Sequence, residues 1–217
     1  MRAFPAVSWI YSEVQIALVT ELTMLHPQGV RGPWNAGIVL DWHTIASQVI
    51  GENEFGQPIF ETRRSQLGEL LYRFKYRNDR TALTEMLRVC NQYLARRVTG
   101  KFEIVVPVPP SNAARIVTKC VARGIAAGLG VTYSATALTK VKSTSALKFV
   151  IDPEVRKAML RDAFQVDMKQ IEGKATLLVD DVYRSGATLE SAAEAVVGQG
   201  RPKAIYVLAL TRTRVHR

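Results

Sequence analysis

The chain has 217 residues, 47% of them hydrophobic and 22% charged, with 29 Lys+Arg against 19 Asp+Glu for a net charge of +10. These values exclude disordered, collagen-like and low-complexity chains and predict one domain with a full hydrophobic core. The sequence has no run of about 18 apolar residues to cross a membrane, and Met1-Arg2-Ala3-Phe4-Pro5 does not open a secretory signal.

A cytoplasmic location is therefore the expectation, with Cys90 and Cys120 as reduced thiols. In chain order, Val14, Leu18, Leu22 and Leu25 fall on one face of a helix over 12–26. Gln28 to Pro33 reads as a turn. Ile38 to about Ile50 and Pro58 to Thr62 read as strands, joined by a hairpin loop at Gly51–Gly56. Residues 1–64 thus look like an antiparallel appendage, a small hood, on a core of 65–217. Ser65 is a good N-cap for a helix to Tyr76 that exits through Arg77-Asn78-Asp79. Tyr72, Phe74 and Tyr76 alternate with Arg73, Lys75 and Arg77, as on a base-stacking surface. The helical spacing of Leu67, Leu70, Leu71 and Phe74 instead turns the apolar members to a core.

A second helix fills 80–98 and closes at Thr99-Gly100. Three apolar runs with β character follow, Ile104–Val108, Thr176–Val179 and Ile205–Leu210, with helical stretches at 111–129 and 187–198 between them. Unalternating runs suit strands buried on both faces. Strand and helix in alternation predict an α/β fold with a mostly parallel, doubly wound sheet. The first of these strands has no G-x-G-x-x-G after it, which sets aside a dinucleotide-binding reading. Charge is uneven: residues 1–60 hold two basic against five acidic side chains, net −3, and 61–217 hold 27 against 14, net +13. A basic body attracts polyanions, either nucleic acid or a small phosphorylated substrate.

Chemistry concentrates at Leu177-Leu178-Val179-Asp180-Asp181-Val182-Tyr183-Arg184-Ser185-Gly186-Ala187-Thr188. In such sheets ligands bind beyond the carboxyl ends of the strands. Here an apolar strand delivers two adjacent carboxylates, then Ser185, Gly186 and Thr188 open a helix whose amides and dipole favour an anion. The carboxylates suit either sugar hydroxyls or a divalent cation. Together they describe a cradle for a ribose 5-phosphate.

Residues 176–188 resemble the phosphoribosyl pyrophosphate (PRPP) motif of type I phosphoribosyltransferases. The resemblance extends through Val106–Pro110, Leu67–Tyr76 and Val207–Thr213, about 65–213 in all, and points within the family to the ComF-like branch. It implies a type I phosphoribosyltransferase fold and an enzyme that transfers the phosphoribosyl group of Mg²⁺-PRPP to a nitrogenous acceptor. By the same resemblance Asp180 and Asp181 would contact the ribose hydroxyls directly or through Mg²⁺. Arg184, Ser185, Gly186, Ala187 and Thr188 would wrap the 5-phosphate, and Pro109-Pro110-Ser111-Asn112 with Arg115 would hold pyrophosphate. Ala163–Val166 is similar to the strand after the family's mobile catalytic loop, so Lys140, Lys142, Lys148 and Arg156 are candidates to neutralise the leaving group, with Lys140 and Lys148 placed first. A homodimer is a further expectation.

Some features depart from the family. The four-cysteine zinc module of many ComF-like proteins is absent, and Tyr183 and Arg184 replace smaller residues. Some purine-salvage members place an aspartate where Arg184 stands. A guanidinium cannot act as a base at neutral pH, which argues against their hypoxanthine or guanine mechanism. His43, with Asp41 and Trp42, reads as a strand histidine with a local hydrogen bond, or else as lining for an acceptor site. The charge of 61–217 and the tail arginines Arg212, Arg214 and Arg217 would also suit a non-catalytic PRPP sensor or a nucleic-acid-binding accessory protein.

Overall fold

The computed structural model describes residues 25–98, 101–110, 116–141 and 163–214. The helix expected over 12–26 therefore lies almost wholly outside the described residues, as do Ser111, Asn112, Arg115, Lys142, Lys148, Arg156 and Arg217. The described elements are, in chain order, β1 (Gln28–Gly29), β2 (Ala36–Trp42), β3 (Thr44–Glu52), β4 (Pro58–Arg64), α1 (Gln66–Arg77), α2 (Arg80–Val98), β5 (Ile104–Pro107) and α3 (Val117–Leu129). They continue with β6 (Thr132–Tyr133), β7 (Leu138–Lys140), β8 (Phe164–Val166), α4 (Met168–Ile171), β9 (Ala175–Tyr183), α5 (Ala187–Ala195) and β10 (Ala204–Arg212).

Six strands form the central sheet in the order β1-β2-β10-β9-β5-β6. All neighbours are parallel except β1 with β2. This is the mostly parallel α/β sheet that the unalternating apolar runs called for. Leu177, Val179, Leu208 and Leu210 enter one core with Leu71 of α1, Met86 and Cys90 of α2 and Ile125 of α3. Leu178, Val207 and Ala209 enter the other with Leu189 and Ala192 of α5 and Phe164 of β8. Successive strand residues point to opposite faces, so a sheet covered on both sides needs apolar residues at every position.

One strand is placed differently from expectation. β2 pairs in parallel with β10, from Ala36 opposite Tyr206 to Trp42 opposite Arg212, and so belongs to the central sheet rather than to an antiparallel appendage. The reason is that Val39 and Leu40 are fully buried, one in each core. β3 and β4 form an antiparallel hairpin apart from the central sheet, as β7 and β8 form a second antiparallel pair, and the first hairpin leaves Phe55 and Phe60 exposed. The chain turns back at Ser65, whose hydroxyl accepts from the Gly68 amide at 2.9 Å and donates to the Trp42 carbonyl. A Cβ at Gly68 would strike the His43 carbonyl, so glycine is what lets α1 dock against the end of β2. Leu67, Leu70, Leu71 and Phe74 are buried, as their spacing predicted, and α1 ends on Asn78 in the left-handed region. Among the described residues no helix is long and apolar enough to cross a membrane. Cys90 and Cys120 are free thiols, and burial pushes Cys90 up to about 12.

Candidate functional site

The parallel register sets the carboxyl ends of four strands side by side. Pro107 of β5 lies opposite Val179 of β9, and the Val108 amide continues the ladder to the Val179 carbonyl at 2.8 Å. Asp180 is thus the first β9 residue past the exit of β5, with Ala209 of β10 on its other side. The chain passes through Asp181, Val182 and Tyr183 and then turns at Gly186, which has φ +87° and forms the N-cap of α5. Gly186 contributes no capping side chain to the first-turn amides of α5. The sequence suggested that Gly186 admits an anion. The structure adds a second demand, because a Cβ there would overlap the Tyr183 hydroxyl and meet Glu190 Oε1 at 3.0 Å. Arg184 and Ser185 are exposed and Ala187 and Thr188 half-buried.

One lysine meets the acid pair and a second lies within reach of its charge. Lys75 Nζ donates to Asp181 Oδ2 at 2.6 Å, with both side chains mostly buried. Lys140, at the end of β7, lies close enough to feel the charge of Asp180. Burial, followed by the charge of Asp181, raises Asp180 well above the usual carboxylate range. The Asp181 amide, donating to Asp180 Oδ1 at 2.8 Å, opposes that shift. Burial lowers Lys140, and Asp180 pulls it back. The pair is therefore a carboxylate held by a lysine beside a carboxyl that tends to keep its proton.

Among the described residues no group of three or more His, Cys, Asp or Glu could hold a metal ion. The acid pair alone fits Mg²⁺, which commonly takes one or two carboxylates and completes its shell with water and substrate phosphate oxygens.

Lys75 is the residue that sequence reasoning missed. The signal was present: Lys75 sits four residues after Leu71 and one after Phe74, on the border of the buried stripe of α1. Lys140 lies within reach of the charge of Asp180, with its ammonium 5.5 Å from the Phe164 ring centre. Pro109 and Pro110 are half-buried at the exit of β5. His43 Nδ1 lies 3.1 Å from Thr211 Oγ1, and the His43 amide donates to the Arg212 carbonyl at 2.8 Å. His43 thus sits between β2 and β3 and bonds across to β10, not within its own segment as the first alternative had it. Burial and then the positive charges of Lys75 and Arg64 lower its pKa. Asp41 is fully buried and takes His26 at 3.2 Å.

On the β10 side of β9 a cavity of about 540 Å³ opens, lined by Trp42, Tyr183, Arg184, Ser185, Arg212, Thr213 and Arg214. Of the Asp41-Trp42-His43 trio, only Trp42 reaches it. Arg212 donates to Gln28 Oε1 at 3.3 Å and lies 5.3 Å from the Tyr183 ring centre, and Arg214 lies 5.5 Å from that of Trp42.

No family model and no curated protein matches the chain. Some solved structures are similar to parts of it at low identity. Glutamine PRPP amidotransferase from B. subtilis is 16% identical over 72% of this chain and 34% of its own, with a TM-score of 0.45. UMP synthase of Leishmania donovani is 14% identical over 76% and 28%, TM-score 0.40. Adenine phosphoribosyltransferase from Saccharomyces cerevisiae is 14% identical over 90% and 89%, TM-score 0.43. The chain spans about a third of the amidotransferase's length and 28% of the synthase's. The fold class itself rests on the sheet order and register: a mostly parallel α/β sheet covered on both faces.

Proposed function

We propose that the chain is a phosphoribosyltransferase-type protein that binds Mg²⁺-PRPP at the carboxyl end of β9 and transfers the phosphoribosyl group to a nitrogen nucleophile. The observation that carries this reading is the convergence on one strand end of an acid pair, a left-handed glycine turn, a helix start without a capping side chain and Lys75 from α1, 106 residues before Asp181 in the chain. The resemblance of 176–188 to the PRPP motif supports it, and the other matching segments favour the ComF-like branch.

In this reading Asp180 and Asp181 accept hydrogen bonds from the ribose hydroxyls, and the same two carboxylates would hold Mg²⁺. The ion would supply charge neutralisation to the phosphate oxygens of the substrate. Lys75 fixes Asp181 before any ligand arrives, which removes an ordering cost from binding. Arg184, Ser185, Thr188 and the amides from Gly186 onward take the 5-phosphate. Pro110, Ser111 and Arg115 take pyrophosphate beyond β5, with Lys140 and Lys148 supplying positive charge as it leaves. A ring or amine nitrogen forms the new bond to ribose C1, the C1–O bond to pyrophosphate breaks, and its electron pair departs with pyrophosphate. Such a displacement needs positioning and charge stabilisation and no covalent protein nucleophile.

Isothermal titration of PRPP with Mg²⁺ into the wild type and into Asp180→Asn/Asp181→Asn tests the reading. Micromolar binding that the double variant loses is the expected result, followed by pyrophosphate release in a screen of bases and ammonia. Binding with no turnover of any acceptor would make the protein a PRPP sensor. An absence of binding at millimolar PRPP, with steeply salt-dependent DNA binding in its place, would overturn the proposal in favour of a nucleic-acid partner.

A further inference from the structure

The cavity beside β10 carries positive charge beyond what the 5-phosphate contacts proposed for Arg184 and Ser185 account for: Arg212 and Arg214 have no part in them. Three of its lining side chains are guanidiniums, Arg184, Arg212 and Arg214, and none of its lining residues is acidic. Among the described residues no carboxylate lies within ion-pair distance of any of the three. Elsewhere Arg64, Arg73, Arg88 and Arg201 each meet one, at Glu69, Asp79, Glu85 and Glu172. Nor are the cavity's arginines all loose in solvent. Arg212 is half-buried and held by Gln28 and the Tyr183 ring, and Arg214 lies near the Trp42 ring. Two aromatic rings and three unneutralised guanidiniums therefore share one concave wall.

We infer that this cavity takes a planar aromatic or heteroaromatic ring bearing a carboxylate. Guanidinium forks match a carboxylate in two parallel hydrogen bonds, and aromatic and guanidinium planes stack on a flat ring. A volume of about 540 Å³ suits a small molecule rather than a polymer. Ser185 lines the cavity and also belongs to the proposed phosphate loop, whereas the Pro109-Pro110 exit lies across β9 on the β5 side. The ring would therefore sit beside the sugar phosphate and away from the pyrophosphate. That the ring is the acceptor rests on the phosphoribosyltransferase reading; that the cavity selects an anion does not.

The test is calorimetric titration of matched acid and neutral rings, orotate with uracil, nicotinate with nicotinamide and anthranilate with aniline, without and then with PRPP. In at least one pair the acid binds tighter by about tenfold, the loss expected when one charged hydrogen-bonded pair is removed. Arg212→Gln/Arg214→Gln brings that ratio to within about twofold. Arg214→Gln alone, at an exposed position that leaves the fold intact, gives an intermediate ratio. Equal binding of acid and neutral members, no binding of any acid, or a preference that survives the double variant overturns the inference. A double variant that loses PRPP while the acids bind as before also overturns it, because the arginines would then serve the 5-phosphate. Acid preference without PRPP binding sinks the phosphoribosyl reading and leaves the anion site standing. PRPP binding without acid preference does the reverse.

Discussion

The carboxyl ends of β9 and β10 lie side by side and treat charge in opposite ways. At β9 the anionic carboxylate, Asp181, already has its cation in Lys75, while burial pushes its neighbour Asp180 toward the neutral form, so little charge is left unmatched there before any ligand arrives. At β10 Arg212 and Arg214, with Arg184 across the cavity, have no acidic partner among the described residues. A balanced cluster is held in place by its own attractions and offers fixed hydrogen-bond geometry. An unbalanced one keeps its charge for a partner from outside. The first suits a neutral, hydroxyl-rich part of a ligand together with a cation, and the second suits an anion.

Several measurements would break or sharpen that contrast. The largest effect is expected from Asp180→Asn/Asp181→Asn, which should weaken PRPP binding by at least about 100-fold through the loss of two charged acceptors. Titration reads this directly, and retained affinity would move the sugar site away from β9. Lys75→Met comes next, because it leaves Asp181 without its cation in a mostly buried position. Urea unfolding should show a loss of about 2 kcal/mol, less than for a fully enclosed pair. Adding Asp181→Asn to Lys75→Met should return part of it. Equal losses in the single and double variants would mean the ion pair does not organise the site.

Gly186→Ala should cost about 1–2 kcal/mol, from its positive φ and from the contact with Tyr183. Tyr183→Phe in the same chain should recover the part due to the hydroxyl. The smallest effect concerns pH. Asp180 keeps its proton in the native state above the ordinary carboxylate range, where the unfolded chain has already released it. Its contribution to stability is complete below about pH 4 and lost as pH rises through the raised value. Asp180→Asn should flatten that part of a urea-unfolding series, which begins above about pH 4. His43 runs the other way, since a lowered histidine costs stability as pH falls below its ordinary value of 6.5. Identical slopes in wild type and Asp180→Asn would show that the Asp180 proton is not linked to folding.

Much of the molecule was legible along the chain. α2 covers 80–98 as expected, α1 starts after Ser65, and the three apolar runs are β5, β9 and β10. The acid pair and the glycine turn are contiguous in sequence, so local spacing was enough to find them. Ser111, Arg115 and Lys148 lie outside the described residues and remain proposals.

The sequence by itself determined the covered parallel sheet, because unbroken apolar strands have no other way to bury both faces. It also determined that an acid pair, a glycine turn and a helix start share one segment, because strand, acid pair, small residues and helix follow one another within 13 residues. Tertiary structure alone decided that β2 joins the sheet, that Lys75 reaches Asp181 across 106 residues, and that Trp42 and Arg212 face one cavity across 170. Those pairings depend on how strands register and how α1 lies on the sheet. Helical or strand periodicity gives the face a side chain takes, and only packing gives the partner it meets there.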